Sequence, residues 1–129
     1  MLVFNLPAEQ VFDPKRHVEK MLGTMEEGDV AVACWEPGQI SPDHCHPDAV
    51  EIYFCFEGGG VMNIPGSSVD IAPGGFVVHP PGEMHEYVNG PERTLLFRVR
   101  YGSDMAARLK SWPSNPDFER SAEDEAYFK

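Results

Sequence analysis

The sequence predicts an all-β fold, one small sandwich or barrel of short antiparallel strands with helix confined to the C-terminal quarter. Three observations predict it. Apolar and polar residues alternate with period two over many short segments. The 12 glycines and 12 prolines are spread along the 129 residues, between those segments, where tight turns need them. Before Ser103 almost nothing repeats apolar residues at helical spacing.

The elements follow in order. Leu2, Phe4 and Leu6 alternate and read as a short N-terminal strand, and Pro7 and Pro14 bracket an irregular stretch. Residues 18–24 and 30–35 read as strands around Glu26-Glu27-Gly28-Asp29. A short extended piece over 43–46 precedes the aromatic and β-branched run 50–56. After Gly58-Gly59-Gly60, residues 61–64 and 68–71 form a hairpin about Pro65-Gly66. Strand 76–79 is closed by Pro80-Pro81-Gly82, and strands 85–88 and 94–101 are joined by Asn89-Gly90-Pro91. Residues 104–110 read as one or two helical turns capped by Ser103 or Asp104. One domain is expected, a barrel over 1–110 and a polar tail over 111–129 that belongs to it, anchored by Trp112, Phe118 and Tyr127.

On the last long strand Leu95, Phe97, Val99 and Tyr101 share one face, and Leu96, Arg98 and Arg100 share the other. The apolar face is expected inside, which sends both arginines outward. An inward Arg98 would be an anchor for a carboxylate.

Charge narrows the partners. Twenty-one acidic against ten basic residues give a net charge of -11. Such a surface repels phosphate backbones and anionic lipid, so neither nucleic acid nor membrane is expected as a partner. No apolar run is long enough to span a bilayer and the first residues lack a leader pattern, so a cytoplasmic protein is expected. The odd set Cys34, Cys45 and Cys55 fits free thiols in a reducing compartment.

Four residues suggest a metal site. His44 and His46 are two apart, which puts both imidazoles on one face of an extended strand. Glu51 lies at an odd separation from them, and Pro47-Asp48 must break the strand for it to share that face. His85 comes from a distant segment. Any one of these histidines alone is more simply a surface or satisfied core residue. Cys45 competes as a ligand, but alternation turns it to the other face. Three imidazoles and one carboxylate around an octahedral divalent ion leave two positions for water, substrate or O₂.

The residues around 38–58 read Gly-x5-His-x-His-x4-Glu-x6-Gly, and those around 74–89 read Gly-x5-Pro-x-Gly-x2-His-x3-Asn. Both resemble the two sequence motifs of the cupin superfamily at every fixed position. The resemblance implies a small antiparallel jelly-roll barrel. It implies that His44, His46, Glu51 and His85 meet inside it on one divalent transition metal such as Fe, Mn, Ni or Zn, and it implies a homodimer. The unpartnered Leu2-Phe4-Leu6 face agrees with an N-terminal segment lying on, or exchanged with, a second subunit. His79 departs from the family, which usually has an aliphatic residue there. It is either a hydrogen-bond donor behind the site or a surface histidine, and the surface reading is preferred.

Tyr53 and Cys55 share parity with Glu51. They either bind substrate or fill the core. Glu51 itself is a candidate base. Similar barrels serve as dioxygenases, as isomerases, epimerases and lyases, and as non-catalytic binders of small molecules. A metal-dependent, dioxygenase-like oxidation of a small chelating compound is the leading expectation.

Overall fold

The computed structural model describes residues 1–129 and contains ten strands and two short helices. β1 (Val18–Met25) and β2 (Gly28–Trp35) form a hairpin. β3 (Asp43–Cys45), β4 (Ala49–Glu57), β5 (Gly60–Ile64), β6 (Ser67–Ile71), β7 (Phe76–His79), β8 (Glu86–Asn89) and β9 (Thr94–Gly102) follow as expected, to within a residue or two at most ends. One layer has the order β1-β2-β9-β4-β7. The other is built from β6-β5-β8 and β10-β3, where β10 is Arg108–Ser111. Isolated bridges Ile40–Val88 and His44–His85 join these two pieces. Every pairing is antiparallel, and the layers close as a jelly roll.

The core between the layers is Ala33, Trp35, Cys55, Met62, Ile71, Tyr87 and Leu96. A second cluster lies outside the larger sheet, where Leu6, Phe12 and Leu22 cover Val32, Cys34 and Leu95.

Three expectations are corrected. The N-terminal residues form no strand; α1 (Leu6–Glu9) is a single helical turn. Asn5 caps it by accepting from Ala8 N, and Pro7 has its φ preset for the first turn. Helix is therefore not confined to the C-terminal quarter. The apolar N-terminal face also has its partner in its own chain, with Phe4 against Phe97 at 5.8 Å and Leu6 in the outer cluster.

Second, residues 104–110 contain no helix. Asp104 accepts from Ala106 N in a local turn, and the chain then enters β10, where Arg108 pairs with Cys45 and Leu109 with His44. The open edge of β3 needs a ladder partner, and that long-range demand overrides local propensity. The C-terminal helix lies later, as α2 (Ala122–Tyr127). Ser121 and Asp124 cap it reciprocally, and Asp124 also accepts from Leu109 N, which ties α2 to β10.

Third, the two faces of β9 are reversed. Leu96, Arg98 and Arg100 point inward, and Phe97, Val99 and Tyr101 point outward. Arg98 is wholly buried because Glu19 and Asp29 neutralise it.

Candidate metal centre

His44 and His85 exchange a pair of backbone hydrogen bonds of 3.1 and 2.8 Å, which sets their rings side by side with centroids 4.3 Å apart. His46, two residues along, stands 5.2 Å from the His44 ring. β3 ends at Cys45 and β4 starts at Ala49, so the break at Pro47-Asp48 resets the alternation and Glu51 turns inward. The donor atoms of His44, His46, Glu51 and His85 all lie within 4.8 Å of one another, and all four residues are buried. Two donors ~2.1 Å from one ion and at right angles are ~3 Å apart, so a cluster of this size suits a transition metal.

The hydrogen bonds behind the rings test that fit. His44 Nδ1 lies 2.8 Å from Pro42 O, His46 Nδ1 3.1 Å from Met105 O, and His85 Nδ1 3.0 Å from Glu83 O. A carbonyl oxygen only accepts, so each Nδ1 carries a proton, and Nε2 is the nitrogen each ring turns inward for ligation. His85 Nε2 and His46 Nε2 then sit 2.8 and 3.1 Å from the two oxygens of Glu51, which also only accept. At those distances a positive charge sits between each nitrogen and its oxygen, either a proton or a metal ion. The donor chemistry fits a divalent cation held by three imidazole nitrogens and one carboxylate.

The electrostatics agree. Burial, then the neighbouring His85, pushes His44 down to about 3, so it stays a neutral donor. Burial alone would raise the Glu51 carboxyl. Hydrogen bonds to His46 and His85, with the charge of Arg100, reverse that and hold it well below the usual range.

Arg100, like Arg98, was expected on the outside. It pairs directly across the β4–β9 ladder with Glu51; its Nε donates to Glu51 Oε2 at 2.7 Å, and its Nη2 lies 2.6 Å from the same oxygen as an ion pair. Nη2 also reaches Glu19 at 3.3 Å, and Glu19 in turn binds Arg98. A carboxylate held by a guanidinium is a poor base and a well-oriented ligand.

A cavity of about 270 Å³ opens beside the cluster. His44, His46 and His85 stand on its wall, with Tyr53, Arg100 and Glu19. Glu51 does not; the imidazoles and Arg100 screen it. Tyr53 stands 6.4 Å, ring to ring, from His85, and burial followed by the nearby Glu51 and Glu19 keeps its hydroxyl protonated. Of its two expected roles Cys55 takes the core one, with Sγ toward Glu57 O, and it does not line the cavity. Cys45 points away from the cluster, toward Tyr127.

His79 is not on the surface. It is 1% exposed and stacks on His85 at 3.8 Å with planes 8° apart. Its Nδ1 meets the Glu83 carboxylate at 2.8 Å, so one loop fixes both His79 and His85. The remaining wall, with His17, Trp35, Tyr87 and Trp112, was not singled out from sequence. The alternation of β1 and β2 carried the signal for Glu19 and Trp35. Trp112 sits in a tail with no periodicity to place it.

The fold is shared with known proteins. The cupin domain model matches residues 31–97. A gentisate 1,2 dioxygenase 1 from Aquipseudomonas alcaligenes is 26% identical over 61 residues, which are 47% of this chain and 18% of that protein. The chain thus spans under a fifth of that relative's length. A structure from Klebsiella pneumoniae, an uncharacterised conserved protein with a double-stranded β-helix domain, superposes with a TM-score of 0.78 at 19% identity, covering 84% of this chain and 96% of that one. An oxalate oxidase in complex with the substrate analogue glycolate has a TM-score of 0.65 at 22% identity, over 75% of this chain and 56% of that one.

Proposed function

The chain belongs to the cupin domain family, and from that premise we propose that it is a metal-dependent enzyme that oxidises a small chelating compound, in the manner of a dioxygenase. The observation that carries this reading is a buried cluster of four donor atoms within 4.8 Å of one another, its three imidazoles fixed through Nδ1, beside a cavity. The names of two similar proteins, a gentisate 1,2 dioxygenase and an oxalate oxidase, support the oxidative reading.

His44, His46, Glu51 and His85 would hold one divalent ion, with Fe, Mn, Ni and Zn the candidates. When bound, iron supplies the O₂ chemistry beside a substrate that chelates it. The chain's own residues do the rest. The three backbone carbonyls fix the imidazoles, and Arg100 orients Glu51. Tyr53 keeps its proton and donates to a substrate oxygen. Base catalysis by Glu51 is the weaker of its two expected roles, because Arg100 lowers its basicity and the rings screen it from the cavity.

A homodimer remains part of this reading, now through a different surface. The outer face of the larger sheet exposes Phe76 (69%), Val78 (58%), Phe56 and Tyr101. Ile52 pairs with Val78 and Phe54 with Phe76, so the patch is continuous across β4 and β7. No helix is long and apolar enough to cross a membrane, and the three cysteines are free, in keeping with a cytoplasmic setting.

The test is to load the protein anaerobically with Fe(II), add small diols, hydroxy acids and keto acids, and admit air over an oxygen electrode. About one iron per chain and O₂ uptake with at least one compound are expected. If no compound gives uptake or product with any of the four metals, the protein binds its ligand without turnover.

A further inference from the structure

The cavity wall is uneven in a way the metal does not explain. Both tryptophans of the chain, Trp35 and Trp112, stand on it. His17 lies flat on Trp35 at 3.9 Å with planes 8° apart, and Tyr87 meets Trp35 edge-on at 4.6 Å. Met62 and Met105 add thioethers to the same wall. Ring faces and polarisable sulfur favour a flat ring over a flexible aliphatic chain. Trp35 Nε1 and His17 Nδ1 are buried without a protein partner.

Charge sharpens this. Arg100 is the only Lys or Arg side chain on the wall, and Glu19 is its only carboxylate. Glu19 is already engaged by Arg98. Arg100 uses Nε and Nη2 on Glu51 and Glu19, and no protein group meets its Nη1. The network of Arg98, Arg100, Glu19, Asp29 and Glu51 carries one net negative charge, and a divalent ion turns that to one net positive. The wall then attracts an anion. The cavity volume of about 270 Å³ has room for one ring and its substituents.

We propose that the substrate is a small aromatic acid, a single ring bearing a carboxylate with an oxygen donor beside it. The carboxylate faces Arg100 and the ring lies against Trp35 and Trp112. This deepens the proposed function and rests on it for the ion, while the ring and the arginine stand on the cavity wall alone.

The experiment uses protein loaded with Ni(II), so that binding is read without oxidation. Four probes are titrated by calorimetry: 2-hydroxybenzoate, the saturated 2-hydroxycyclohexanecarboxylate, catechol and glycolate. The first should bind about tenfold or more tighter than each of the others, a difference of ~1.4 kcal/mol. Arg100→Gln should remove that advantage over catechol when the two affinities are compared on the same nickel-loaded variant. Trp112→Leu, at a position outside every strand and helix, should weaken both aromatic probes and spare glycolate. Nickel content is measured for each protein separately. Nickel at one per chain with glycolate or the saturated acid binding as tightly as 2-hydroxybenzoate would overturn the inference and leave the metal reading intact. Arg100-dependent binding of 2-hydroxybenzoate by a chain that takes up no metal would do the reverse. Should Arg100→Gln fail to fold, the four-probe ranking and Trp112→Leu decide alone.

Discussion

Replacing Asp29 by Ala should destabilise the fold far more than an exposed ion pair would. The Arg98 side chain is 1% exposed and that of Asp29 is 12% exposed, so water cannot take the place of the lost carboxylate. At an effective dielectric of ~20 a contact pair of unit charges is worth ~4 kcal/mol, and removing one member of a buried pair costs ~3–5 kcal/mol. Glu19 still touches Arg98, which sets the expectation near the lower end, ~3 kcal/mol. Arg98→Met should cost a similar amount, because it strands Asp29, whose side chain is 12% exposed, while Glu19 keeps Arg100. Urea unfolding of the metal-free proteins at neutral pH, in low salt and in 1 M NaCl, measures both. Salt screens exposed charges within ~3 Å at that strength but cannot enter a dry pair, so the loss in Asp29→Ala should survive it. A loss under ~1 kcal/mol, or one that salt erases, would refute the account of why β9 turns its arginines inward.

Other outcomes follow from single features. Burial holds His17 at about 4 against an ordinary 6.5, with Glu19 opposing. Between those values the unfolded chain binds a proton that the folded chain does not, so stability falls as pH drops from ~6.5 toward ~4, by up to ~3 kcal/mol; His17→Phe should flatten that part of the profile when the two proteins are subtracted. The double variant His44→Ala, His46→Ala should lose most bound metal by elemental analysis, and full occupancy would dismiss the site. Gly58 has φ +81°, and a Cβ there would lie 2.3 Å from Arg93 O and Thr94 Oγ1; Gly58→Ala should therefore cost more than the ~1 kcal/mol typical of a left-handed glycine, read as a lower urea midpoint.

Most strands were legible because each is short, alternating and punctuated by Gly or Pro. The clustering of the four donor residues was legible because two motifs at fixed spacing name their positions. The faces of β9 were not, since a binary pattern counts Arg98 and Arg100 as surface while three carboxylates on β1, β2 and β4 make them interior. The segment 104–110 misled for a similar reason: its partner, β3, lies some sixty residues away. The N-terminal turn was misread despite a local signal, Asn5 two residues before Pro7, that outweighs three alternating apolar residues. Arg100 beside Glu51 could have been anticipated only from the β4–β9 register, which a bulge between Cys55 and Glu57 shifts further along.

The carbonyl of Met105 that fixes the His46 ring belongs to a residue whose side chain also stands on the cavity wall. Widening the cavity by swinging this stretch outward would withdraw the acceptor that sets the His46 tautomer. Access and grip therefore oppose each other mechanically. An ion is held most firmly when the stretch is seated and most loosely when the chamber is spread, so metal exchange should slow once a ligand packs beneath Met105 and pins it down.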